Sequence, residues 1–146
     1  SRLADRACGR KGDCQFTLGA DDPSRYAEAL VSYQAVFNSP TASPALKLQA
    51  EYKIGRCRES QGDLARALER YMNVMYEYLI DRTEVQPEGT VWFTRAAFRA
   101  ASIKEAKEEW TEAVNIYQRV IEARAPASEE AQKRIQKIQQ KDPAGR

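Results

Sequence analysis

One pattern occurs twice in this chain, 46 residues apart. Ala50, Ala67, Tyr71 and Val74 recur as Ala96, Ala113, Tyr117 and Val120. In the first copy, Ala50-Glu51-Tyr52-Lys53-Ile54-Gly55-Arg56-Cys57 leads through Gly62-Asp63 to a second apolar run. Phe98, Ala101 and Glu105 stand at matching places in the second copy. Apolar residues three and four apart on both sides of a break read as two helices. A two-helix unit cannot bury its apolar face alone, so copies must stack on one another. The expected fold is all-α, an antiparallel helix-hairpin solenoid.

Outside the repeat the punctuation is uneven. Residues 1–22 read as an irregular segment, at most the end of a truncated helix, because Gly9, Gly12 and Gly19 break its continuation. Asp21 or Asp22 with Pro23 marks a helix start, and Tyr26, Ala29, Leu30, Tyr33, Val36 and Phe37 form its apolar face. Helices are expected over 44–61, 64–80, 91–107 and 110–124, with 81–90 a loop. Ser128 is placed to cap a last helix whose Ala131, Ile135 and Ile138 give one narrow stripe. Its polar remainder suits a C-terminal capping helix, beyond which nothing stacks. The helical domain is therefore expected over 23–140, with 141–146 a frayed tail.

Composition excludes several classes of function. With 23 basic and 21 acidic residues the net charge is +2, which lacks the basic excess of a nucleic-acid binder. No apolar run approaches the roughly 18 residues of a membrane span, so direct membrane insertion is not expected. No apolar segment follows a basic start, so no signal peptide is expected, and Ser1 reads as the start of an excised piece. Histidine is absent, which removes the usual general base and the commonest metal ligand. There is no glycine-rich phosphate loop and no nucleophile beside a base. Neither enzyme activity nor a cofactor nor a metal is expected. Among the three cysteines, Cys57 reads as a small buried hydrophobe in register with Ile103. Cys8 and Cys14 close a short loop, as a disulfide in an oxidising compartment or as two free thiols.

The spacings resemble the tetratricopeptide repeat (TPR). Gly55 and Ala101 match that family's small residue on the first helix, Ala67 and Ala113 its crossing alanine, and Tyr71 and Tyr117 the aromatic four residues later. Ala29 and Tyr33 repeat the second-helix half, so two repeats, a preceding half and a cap are expected over residues 24–140. The period of 46 exceeds the family's 34, which places about a dozen inserted residues in the third helix and in 81–90. The run from Ala50 to Asp63 also looks like bacterial cell-envelope TPR proteins, namely the Tol-Pal-associated coordinator and outer-membrane assembly lipoproteins. That resemblance favours the periplasm or cell envelope over the cytoplasm.

What the TPR resemblance implies is a scaffold that binds a peptide or partner subunit on its concave surface, as part of a larger assembly. The alternative is a structural section of a longer solenoid, or a self-associating homo-oligomer, without a peptide ligand. By register the concave side offers Gln49, Tyr52, Arg56 and Glu59 from one repeat. Arg95, Phe98, Arg99, Ser102 and Glu105 come from the next. Arg56, Arg95 and Arg99 favour an acidic segment or a C-terminal carboxylate. Tyr52 and Phe98 either anchor a ligand or pack between helices. The helix over 64–80 is apolar on more than one face, and its second face is covered either by the loop folding back, with Trp92 and Phe93 as the expected cover, or by a partner. The carboxylates at Glu105, Glu108, Glu109 and Glu112, interleaved with Lys104 and Lys107, read as a solvated face.

Overall fold

A computed structural model describes residues 1–145 of the chain. Among them eight helices follow one another with no strand: α1 (Arg2–Leu18), α2 (Ser24–Phe37), α3 (Pro44–Ser60), α4 (Leu64–Ile80), α5 (Arg82–Val85), α6 (Thr90–Ala106), α7 (Trp110–Glu122) and α8 (Ser128–Lys141). Apart from the single-turn α5, each helix packs on its successor, with α4 meeting α6 directly. Short connections force neighbours to run antiparallel. The result is three hairpins, α1–α2, α3–α4 and α6–α7, stacked in order and closed by α8.

Local chemistry sets the helix ends. Ser43 Oγ accepts from Leu46 N at 3.2 Å and Asp63 Oδ1 from Arg66 N at 3.1 Å, each satisfying an amide that the first turn leaves unpaired. Asp22 Oδ1 does the same for Ser24 N. Gly62, at φ 81°, supplies the left-handed residue between α3 and α4. Ser128 behaves otherwise than expected: it is the first residue of α8, and its hydroxyl donates back to the Ala125 carbonyl at 2.6 Å.

Each hairpin is closed by a tyrosine lying over a small residue. A Cβ on Gly12 would stand 2.6 Å from the Tyr33 ring, and one on Gly55 2.6 Å from the Tyr71 ring. Ala101 holds the corresponding place before Tyr117 and is fully buried. The crossing alanines Ala29, Ala67 and Ala113 are also fully buried, which allows helix axes near the short end of about 8–10 Å. Each phenol then donates to a carboxylate: Tyr33 to Asp13 at 2.6 Å, Tyr71 to Glu59 at 2.7 Å, and Tyr117 to Glu105 at 2.6 Å. Burial first, and the adjacent carboxylate second, push all three phenols above their ordinary pKa, so they remain neutral donors.

Three expectations need correction, and a fourth, left open between two alternatives, narrows to one. Residues 2–18 are not irregular: they form α1, capped by Ser1 Oγ, and complete the first hairpin. Glycine costs about 1 kcal/mol in a helix, yet at Gly12 its missing side chain is what seats Tyr33, and tertiary packing outweighs propensity. Of the two alternatives for Cys8 and Cys14, the structure has the free thiols, and Cys57 is free as well. Six residues along a helix rise about 9 Å, beyond the roughly 7 Å that a disulfide bridges. Cys8 donates to the Ser32 carbonyl instead. Trp92 and Phe93 do not cover the second face of α4. Phe93 stacks on Tyr78 at 4.4 Å inside the core, and Trp92 turns to Tyr52. Tyr76 and Ile80 stay 56% and 75% exposed. The tail folds back rather than fraying: Asp142 is 4% exposed, and Thr111 donates to the Gly145 carbonyl. Arg146 lies outside the described residues.

The readings of 81–90, of Cys57 and of the charged face around Lys104 hold with small shifts. Residues 81–90 contain the short α5 within the expected loop. Cys57 is fully buried, and burial pushes its thiol up to about 12. Lys104 pairs with Glu109 at 2.6 Å and Glu112 at 2.5 Å on the charged face.

Candidate functional site

The first helices of the three hairpins, α1, α3 and α6, line one continuous groove. Three hollows of about 470, 280 and 250 Å³ lie along it. The first two share Asp13, Tyr33, Lys53 and Trp92, and the second and third share Tyr52 and Arg95. Of the nine residues expected here, seven line these hollows: Gln49, Tyr52, Arg56, Arg95, Phe98, Arg99 and Ser102. Glu59 and Glu105 do not, because they are held by the phenols of Tyr71 and Tyr117.

Both aromatics in the expected set are also packing residues. Tyr52 is 6% exposed, with its ring 5.7 Å from both Tyr71 and Trp92. Phe98 meets Tyr117 edge-on at 5.4 Å. They form the wall of the groove and leave little free area for a ligand.

Cations lie over these rings. The Arg56 guanidinium sits 5.5 Å from Phe16, Arg95 5.0 Å from Trp92, and Arg134 of α8 5.8 Å from Phe98. Lys53 lies between Tyr33 and Trp92, at 5.7 and 5.5 Å, and pairs with Asp13 at 2.7 Å. Such contacts hold long side chains in place at about 0.5–1 kcal/mol each. Arg99 reaches across to Glu59 on α3 at 3.4 Å.

Charge is the groove's most uneven property. Seven cations line the three hollows, Arg6, Arg10, Lys53, Arg56, Arg95, Arg99 and Arg134, against two carboxylates, Asp13 and Glu88. An excess of five in a chain of net charge +2 leaves the rest of the molecule net acidic. Arg6, Arg10, Arg56 and Arg95 have no ion-pair partner among the described residues. Concave walls concentrate such a field, which draws anionic groups in.

Arg6, Gly9, Arg10, Asp13 and Phe16 escaped the sequence reading because α1 did. The signal was present in Gly12, which stands 43 residues before Gly55 as Gly55 stands 46 before Ala101. That register aligns Arg10 with Lys53 and Arg99. One basic position therefore recurs on all three groove helices.

No group of three or more His, Cys, Asp or Glu side chains able to hold a metal occurs among the described residues. Nor is any described helix long and apolar enough to cross a membrane. Comparison of the chain with family models, curated proteins and solved structures finds no match in any of the three.

Proposed function

We propose that this chain is a tetratricopeptide-repeat-like scaffold that binds an extended acidic segment of another protein along the groove of α1, α3 and α6. The observation that carries this reading is the recurrent basic position, Arg10, Lys53 and Arg99, in a groove where cations outnumber carboxylates seven to two. Carboxylate side chains on an extended strand match guanidinium groups in both charge and geometry. The family reading rests on the three hairpins and their Gly12/Gly55/Ala101 and Tyr33/Tyr71/Tyr117 pairs.

Fluorescence anisotropy with a labelled nona-glutamate peptide tests it. The double change Arg10→Ala and Arg95→Ala removes two exposed charges that have no carboxylate partner. Binding should weaken about tenfold, at roughly 0.7 kcal/mol per rim charge, and the melting temperature should hold. Wild-type affinity should also fall as salt rises. An affinity indifferent to both changes would contradict the reading.

A self-associating unit is the second reading, and the exposed Tyr76 and Ile80 of α4 favour it. Light scattering across a concentration series would then show dimers that Tyr76→Glu abolishes.

A further inference from the structure

Gly9 stands where the other two hairpins carry an aromatic ring. It precedes Gly12 by three residues, as Tyr52 precedes Gly55 and Phe98 precedes Ala101. Tyr52 and Phe98 fill their places by packing on Tyr71 and Tyr117. At Gly9 nothing lies within 4 Å of where a Cβ would stand. The absent ring leaves the 470 Å³ hollow, the largest of the three along the groove.

The floor of that hollow is apolar. Buried Tyr33, Val36 and Ala50 line it, with Leu46 half-buried beside them. Arg6 and Arg10 are exposed on its border, three residues before and one residue after the gap that Gly9 leaves on α1. An apolar floor under a cationic border suits a segment of mixed character, whereas a uniformly acidic one would leave the floor wet.

We infer that the Gly9 hollow is an anchor subsite, taking one bulky apolar side chain of an otherwise acidic segment. The inference rests on the groove reading above and adds what fixes the ligand's register. Two of the three equivalent positions are filled by the protein's own rings, so only one can accept a ring or a branched chain from outside. The flanking carboxylates of the segment meet Arg6, Arg10 and Lys53. The neighbouring Asp13 is already engaged by Tyr33 and Lys53. A nine-residue extended segment spans roughly 30 Å, enough to cross three helices about 8–10 Å apart.

The test uses labelled nona-glutamate peptides in which a single leucine is placed at each position in turn, each paired with a peptide carrying alanine there. At one position, or two adjacent ones, leucine should bind at least about fivefold more tightly than alanine, as expected for burying a leucine side chain. In Gly9→Phe, which restores the ring of the other hairpins, that ratio should fall to about one. Gly9→Leu serves as a second blocking variant, and circular dichroism checks that each is folded. If the peptides bind but every leucine-to-alanine ratio stays within twofold, the anchor is overturned and the groove reading stands. A preference that persists in folded Gly9→Phe and Gly9→Leu also overturns it, by moving the anchor elsewhere. If none of the peptides binds, the groove reading itself fails and the anchor with it.

Discussion

Adding one methyl group at Gly55 and at Gly9 has opposite expected consequences, because the two glycines exist for different reasons. At Gly55 the new Cβ would lie 2.6 Å from the ring of Tyr71, which is fully buried and hydrogen-bonded to Glu59, so the ring cannot swing aside cheaply. Overpacking of this kind costs about 1–3 kcal/mol, and Gly55→Ala should lower stability in a urea melt despite its better helix propensity. At Gly9 there is open space, and Gly9→Ala should raise stability by about 0.5–1 kcal/mol. Equal effects of the two changes would contradict the packing described. Glu51 is the other residue with a measurable signature. It is 3% exposed in α3, and burial, aided by the Glu77 charge and opposed by Arg70 and Asn73, pushes its carboxyl up to about 7. A raised carboxyl pKa means that the folded state holds its proton longer than the unfolded one. Its contribution is complete below about 4.5 and is lost as pH rises to about 7. Glu51→Gln should therefore flatten the stability profile between those values and gain about 3 kcal/mol above them, at 1.36 kcal/mol per pH unit. A parallel profile in the variant would show that Glu51 is solvated.

Among the elements, legibility followed apolar periodicity. The helices over 44–61, 64–80 and 91–107 were readable to within a residue, because Tyr52, Ile54, Tyr71 and Val74 fall on faces that must be buried. α1 was not, because only Asp5 and Gly12 of its residues are buried and neither registers on a hydrophobic pattern. Its attachment is largely polar: Thr41 donates to Asp5 at 2.6 Å, Ser32 to Gln15 at 2.7 Å, and Tyr33 and Lys53 to Asp13. The groove suffered accordingly, since a third of it lies on a helix whose signal is a glycine aligned with other small residues. Sparse apolar burial also implies low local stability. Hydrogen exchange should therefore find the amides of α1 less protected than those of α4 and α7, which carry Tyr71, Val74, Tyr117 and Val120. Equal protection across all three helices would show that α1 unfolds only with the whole domain.

At the scale of the molecule, the stack separates its two faces by chemistry. The groove of α1, α3 and α6 gathers cations that the rest of the surface balances with carboxylates. The outer side, between α4 and α7, carries a hollow of about 350 Å³ lined by Leu68, Met72, Met75, Tyr76 and Leu79. An acidic ligand belongs to the first face, and an apolar one would favour the second. The proposed recognition surface is the first of these faces. The most direct test is to titrate isotope-labelled protein with nona-glutamate peptide and follow each backbone amide by NMR. The shifts should concentrate on α1, α3 and α6, around Arg10, Lys53, Arg95 and Arg99, and leave α4 and α7 still. Shifts centred on Met72, Tyr76 and Leu79, with the groove amides unmoved, would contradict it.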